Sequence, residues 1–151
     1  AYGSDRMDAS LLLLPMVGFL PPKDQRIRAT VREIEKRLLC KGLVLRYETQ
    51  TGVDGLPPGE GAFLACSFWL ADNYLLLGRL AEAKRLFNRL KKLCNDVGLF
   101  SEEYDPTNKM MLGNFPQAFS HVALINSALA LKTHEEAHRN GRKVRKAVIR
   151  S

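Results

Sequence analysis

An all-helical chain arranged in two layers is the architecture this sequence predicts, and three observations predict it. Segments apolar on every side alternate with amphipathic ones, in the order buried, amphipathic, buried, amphipathic, buried. Short turns near residues 20–23 and 78–79 lead from inner to outer segments. Long polar stretches at 43–60 and 98–114 lead back from outer to inner, so both arrive at one rim. Polar loops held on a rigid helical support are a common setting for functional groups.

Taken in order, Asp8 is placed to cap a first helix that runs through Leu11, Leu12, Leu13 and Leu14 to Phe19. It is apolar on nearly every side and needs cover all round, while Pro15 should kink it or end it early. Residues 24–41 read as an amphipathic helix. Ile27, Val31, Ile34 and Leu38 follow the i, i+4, i+7, i+11 stripe, and Gly42 is expected to stop it. The connector at 43–60 opens with residues suited to a short strand and continues in Gly, Pro and Asp turn chemistry. A connector of that length in a compact domain is usually functional.

Residues 62–77 are again apolar all round, with Asp72 and Asn73 as the exceptions. After Gly78, residues 80–94 form a second amphipathic helix that buries Leu80, Ala83, Phe87, Leu90 and Cys94 and turns Lys84, Arg85, Arg89, Lys91 and Lys92 outward. The stretch that follows carries the paired carboxylates Glu102 and Glu103, then a polar loop with a hydrophobic tip at Met110 to Leu112. Gly113, Asn114 and Pro116 should start the last helix, since Asn is a good N-cap and Pro is accepted in a first turn.

Composition narrows the function classes. The 151 residues suit one domain, and 46 % hydrophobic content supports a substantial core. Arg139, Arg142, Lys143, Arg145, Lys146 and Arg150 lie in a basic tail at residues 134–151; taking those six from the net charge of +7 leaves +1. The tail lacks the aromatics that single-strand stacking requires, so it reads as a solvated run and no nucleic-acid partner is expected. No apolar run reaches the ~18 residues of a membrane span. Cys40, Cys66 and Cys94 are odd in number, far apart and set in apolar patterns. They read as buried free thiols in a reducing, cytoplasmic setting. No glycine-rich phosphate loop and no His/Cys ligand spacing appear, so neither cofactor nor metal is implied.

One passage, Leu77-Gly78-Arg79-Leu80-Ala81-Glu82-Ala83 with Phe87, resembles the helix–turn–helix of a tetratricopeptide repeat and raises the alternative of a binding scaffold. Such a scaffold needs about three or more copies at a regular period, and a second copy is absent. By residue type alone, adjacent glutamates such as Glu102 and Glu103 are ordinarily solvated surface and cannot be told apart. Trp69 and His121 read as core groups, and Asn114 and Gln117 stand at a helix start on the rim.

Three longer strings carry a more specific signal: LVLRYETQTGVDGLPPGEGAFLACSFWLADN, GLFSEEYDP and LGNFPQAFSHVALINSALAL. Together they resemble the C-terminal part of the glucoamylase-like glycoside hydrolases, and more narrowly their prokaryotic branch, which acts on α-glucosides and in some members on trehalose. The resemblance runs from about residue 2 to residue 131. It implies an (α/α)6 barrel, with about five of its twelve helices held in this chain. It also implies an inverting mechanism, in which one carboxyl protonates the leaving oxygen and another activates a water, the two standing about 6.5–9.5 Å apart.

The family's base is the first acid after serine in the loop matching Ser101-Glu102-Glu103-Tyr104, which is Glu102; Glu103 stands where many members carry glutamine. The matching Arg-Tyr pair is Arg46-Tyr47, with Arg46 implied to reach sugar hydroxyls through its planar fork of donors. Glu60, near the end of the connector, is a further pocket candidate. The family's general acid, its Arg-Asp pair and its sugar-gripping tryptophans belong to upstream segments without a counterpart here. The expectation is therefore a portion of a larger hydrolase whose partners are an α-glucoside or oligosaccharide and the rest of the parent domain. Alone it should be inactive, with apolar sides of inner helices exposed.

Overall fold

The computed structural model describes residues 5–47 and 61–148, the last eight of these as helix backbone alone. Asp8 does cap: its Oδ1 accepts from Ser10 N at 2.7 Å and opens a 3₁₀ turn at Ala9–Leu12. The turn passes into a single helical turn, α1 (Leu13–Met16), well short of the expected Phe19. Its end is closed by Phe19 N donating to Leu14 O at 3.0 Å and Gly18 N to Pro15 O at 3.3 Å. Val17 and Phe19 therefore project into solvent instead of lying under cover.

The amphipathic stripe is realised in α2 (Gln25–Arg37), where Ile27, Val31 and Ile34 are buried and Asp24 caps Arg26 N at 2.8 Å. The helix ends earlier than its apolar period suggests. Leu39–Cys40 (β1) pairs antiparallel with Leu43–Val44 (β2), matching Leu39 to Val44 and Cys40 to Leu43. Lys41 (φ 47°) and Gly42 (φ 77°) supply the two positive-φ positions that a tight hairpin turn demands. Gly42 thus closes a hairpin rather than stopping a helix. Cys40 is exposed as a result, against the expected buried thiol; Cys66 is buried and Cys94 half-buried.

The centre of the fold is α3 (Leu64–Leu76), in which every residue from Leu64 to Leu75 is buried. It packs against α1, against α4 (Leu80–Leu90) and against α5 (Ala118–Val148). Two of its buried polar side chains bond to backbone groups, while Asn73 Oδ1 has no partner among the described residues. Ser67 Oγ accepts from Val44 N at 2.8 Å, and Asn73 Nδ2 donates to Leu12 O and Trp69 O, each at 2.8 Å. Leaving such groups unpaired would cost about 1–3 kcal/mol apiece. Phe68 meets Phe87 of α4 and Phe100 edge-on at 6.2 and 6.1 Å.

A Schellman turn ends α3, with Arg79 N donating to Tyr74 O (2.8 Å), Gly78 N donating to Leu75 O (3.0 Å) and Gly78 at φ 78°. The second amphipathic helix then buries Ala83, Leu86, Phe87 and Leu90 and tightens into a 3₁₀ turn at Lys91–Leu93.

The stretch after Gly98 differs most from its expectation. Ala62–Phe63 (β3), Glu103–Asp105 (β4) and Met110–Leu112 (β5) form a three-stranded antiparallel sheet in that order. The polar segment is a hairpin, and Met110–Leu112 is a strand instead of a loose tip. Asp105 Oδ1 turns the chain by accepting from Thr107 N (2.7 Å) and Asn108 N (3.2 Å). The last helix begins at Ala118, not at Asn114, with Gln117 Oε1 accepting from Phe119 N at 3.3 Å. It continues past residue 133, through the basic run, to Val148.

Five α-helices are thus present among the described residues, with α3 packed against α1, α4 and α5 and two small sheets at its N-terminal end; α5, expected to be buried on every side, is covered on one face only. On α5 the residues Phe119, Val122, Ile125 and Leu129 form a flank that stays 47–57 % exposed.

Candidate active site

The N-terminal end of α3 is a junction of four segments. Leu64 N, at the start of the helix, donates to Glu102 O at 3.0 Å, and Glu102 N donates to Asn114 O at 2.9 Å. Glu102 is held by its backbone between the helix start and the Gly113-Asn114 corner. Its carboxylate is held from the same side: Oε2 accepts from Asn114 N at 3.1 Å and from Asn114 Nδ2 at 2.8 Å. Gly113 makes that approach possible. Its φ is 71°, and a Cβ there would stand 2.9 Å from Glu102 Oε2 and 3.0 Å from Glu102 Cβ.

Glu103 does different work. It pairs with Phe63 on one side and Leu112 on the other, its carbonyl accepts from Ser101 Oγ at 2.6 Å, and its Oε2 accepts from Gly61 N at 3.1 Å. Successive side chains in extended chain point to opposite faces, which is how neighbours acquire separate surroundings. One glutamate faces the Gly113-Asn114 corner and the other fastens the end of the connector.

Arg46 and Tyr47 reach the same end of α3. Val44, two residues earlier, is bonded to Ser67 in the first turns of the helix. Arg46 O accepts from Ala9 N at 2.9 Å, its guanidinium pairs with Asp8, and Tyr47 forms a β-bridge with Asp8. Burial pushes the Cys66 thiol up to about 12, and the nearby Arg46 charge opposes that rise. Arg46 therefore lies close to the first turn of α3, where Leu64 meets Glu102. Glu60 lies outside the described residues.

Other expected positions resolve as structural. His121 Nδ1 lies 2.7 Å from Gln117 O, its Nε2 accepts from Phe100 N at 3.3 Å, and its ring stands edge-on to Phe100. Trp69 packs edge-on against Phe63 and Phe119. Gln117 serves the start of α5, its N donating to Phe100 O at 2.9 Å. Asn114, expected as a helix cap, is instead the partner of Glu102. Asp8, read only as a cap, is also the anion beside Arg46; no spacing pattern links residues that far apart in sequence.

Among the described residues no group of three or more His, Cys, Asp or Glu is arranged to hold a metal ion, and no helix is long and apolar enough to cross a membrane. A cleft of about 590 Å³ lined by Lys23, Arg28, Arg32 and Arg79 opens at the other end of α3 and contains none of the carboxylates above.

This layering of inner and outer helices is that of part of an (α/α)6 barrel of the glycosidase type. A solved structure titled Glycosidase Wild Type superposes with a TM-score of 0.70 at 23 % identity, covering 86 % of this chain and 37 % of that one. The model of glycosyl hydrolases family 15 matches residues 1–129, and the chain belongs to that family. Among its relatives are proteins named trehalase from Mycolicibacterium smegmatis (46 % identical over 141 residues) and Mycobacterium tuberculosis (45 % over 141), each match covering 93 % of this chain. Another, from Thermoplasma volcanium, is 41 % identical over 132 residues, or 87 % of this chain. The chain spans about 21 % of the length of these relatives.

Proposed function

We propose that this chain is the C-terminal part of an inverting glycoside hydrolase acting on α-glucosidic bonds, of glucoamylase, glucodextranase or trehalase type, and that Glu102 is its general base. The observation that carries the reading is the contrast between the two neighbouring carboxylates. Glu103 spends its carboxylate on the connector at Gly61, while Glu102 sits at the rim with Oε2 engaged and Oε1 without a hydrogen-bond partner among the described residues. A base that activates water needs such an oxygen. The names of the relatives favour trehalose as substrate.

Arg46 and Tyr47 bind the sugar at the same rim in this reading. One ion pair with Asp8 occupies only part of a guanidinium's five donors and leaves the remainder for hydroxyls. Glu60 stays a pocket candidate on the resemblance alone. The general acid comes from upstream segments of the parent domain, which also covers the exposed flank of α5. Three free thiols support a reducing, cytoplasmic setting.

The test is hydrolysis of trehalose and maltose by the longer enzyme that contains this chain. Glu102→Gln should lower kcat by about two to four orders of magnitude, the usual scale of acid–base catalysis, whereas Glu103→Gln should stay within about ten-fold of the parent. The reverse ranking would move the base to Glu103. Turnover by the isolated 151-residue chain would refute the need for an upstream acid.

A further inference from the structure

Among the described residues, the Glu102 carboxylate takes hydrogen bonds from a single neighbour. Asn114 donates twice, from its backbone N at 3.1 Å and from its side-chain Nδ2 at 2.8 Å, and both bonds end on the same oxygen, Oε2. The reciprocal bond from Glu102 N to Asn114 O, at 2.9 Å, locks the two backbones together. Gly113 completes the clamp, because any Cβ at that position would enter the space of the Glu102 side chain. A carboxylate carries about four acceptor sites on two equivalent oxygens, and rotation about its last torsion is soft. Two donors on one oxygen remove both the equivalence and the rotation.

We propose that Asn114 is a positioning residue that decides which oxygen of Glu102 takes the proton: it commits Oε2 to the protein and presents Oε1 to the attacking water. The inference rests on Glu102 being the base. In the step it serves, a water oxygen forms a bond to the anomeric carbon and loses a proton to Oε1. The bond from that carbon to the glycosidic oxygen breaks, and the departing oxygen takes a proton from the carboxylic acid of the upstream part of the domain. The displacement has to run in line, so the base oxygen and the water must face one side of the sugar. A carboxylate free to turn would present either oxygen over a wide arc. The clamp narrows that arc before substrate arrives, and it acts on the water and not on the sugar.

That division sets the experiment. In the longer enzyme, kcat and KM for trehalose are measured for the parent and for Asn114→Ala, Asn114→Asp and Glu102→Gln, with the thermal midpoint of each. Asn114→Ala keeps the backbone donor and loses the side-chain one; kcat should fall about ten- to a hundred-fold while KM moves less than about two-fold. Asn114→Asp replaces the donor with a second carboxylate and should lose more. A simple loss of folding would lower the midpoint and the active fraction, leaving kcat per active molecule and KM unchanged.

The idea is overturned if Asn114→Ala keeps kcat within two-fold while Glu102→Gln loses it, or if kcat and KM shift together. A Glu102→Gln enzyme with full kcat would instead remove the base reading itself, and the clamp's catalytic meaning with it. A second readout does not depend on turnover. In ¹H–¹⁵N spectra of the longer enzyme, the Asn114 side-chain amide should stand apart from the exposed amides and join them on Glu102→Ala. An amide that already sits with the exposed ones in the unsubstituted longer enzyme refutes the clamp.

Discussion

At the C-terminal end of α3, Arg79 donates to Glu35 at 2.7 Å and to both oxygens of Glu82 at 2.7 and 2.6 Å. Its guanidinium lies 4.2 Å from the centre of the Tyr74 ring, and the Tyr74 hydroxyl donates to Glu35 at 2.8 Å. Hydrogen bonds donated to Glu82 and Glu35 raise the Arg79 pKa, and the Arg79 bond lowers that of Glu82. At the N-terminal end, Glu102 has one oxygen bonded and one without a partner among the described residues. The first end joins α2, α3 and α4 through one guanidinium bonded to two carboxylates. The second leaves hydrogen-bonding capacity unused. If Glu102 is the base, as proposed, the difference teaches where a scaffold can close its electrostatics and where it must not, since a fully paired carboxylate has nothing left to offer water.

The largest effect that would disturb this contrast is expected from Gly113→Ala. Alanine at φ 71° costs about 1–2 kcal/mol of backbone strain, and its Cβ would press on Glu102. Urea denaturation should show a loss of about 2 kcal/mol, and kcat of the longer enzyme should fall by up to about a hundred-fold, as for a misplaced catalytic group. Unchanged values for both would mean that the corner relaxes freely. Next comes Arg79→Ala, which takes from Glu35 and Glu82 the guanidinium that bonds both. The side chain is about one-third exposed, so the expected loss is near 2 kcal/mol, and salt should reduce the difference from the parent.

The smallest effect comes from the middle of the helix, where Asp72 is buried near Ser127. Burial pushes its carboxyl up to about 6, and the Ser127 hydroxyl opposes the rise. The folded value lies above the ordinary 3.8, so between about pH 4 and 6 the folded chain holds a proton that the unfolded chain releases. This group's contribution to stability is therefore greatest below about pH 4 and declines as pH rises through 6. Asp72→Asn should stabilise the chain by about 1–2 kcal/mol at pH 7 and by little at pH 4, read from paired urea titrations. A larger gain at pH 4 than at pH 7 would reverse the sign.

The helices were legible because burial imposes a period. Ile27, Val31 and Ile34 announce one wet face, and the unbroken apolar run around Phe68 announces none. The hairpin at Leu39 to Val44 was not, since Leu38, Leu39 and Cys40 prolong an apolar run and the positive-φ turn is made by Lys41 with Gly42. The division between Glu102 and Glu103 was invisible to composition. It depends on where β4 begins: Glu103 opens the strand beside Phe63, and Glu102 precedes it against the Gly113-Asn114 corner. Only the resemblance of whole segments singled out Glu102. Asn114 misled for a physical reason, because the side chain that makes asparagine a good cap also makes it a good donor to a neighbouring carboxylate.

The connector at residues 48–60 begins and ends on fastened posts. Tyr47 is bridged to Asp8 and Val44 to Ser67 before it, while Gly61 donates to Glu103 and Ala62 pairs with Tyr104 after it. Posts of that kind fix the gap to be spanned independently of what spans it. Closing a loop across a fixed gap depends on length only logarithmically, at about 0.6 kcal/mol for each doubling. Insertions and rewordings between Tyr47 and Gly61 are thus thermodynamically cheap, and the paired residues on either side keep their places whatever length of chain runs between them.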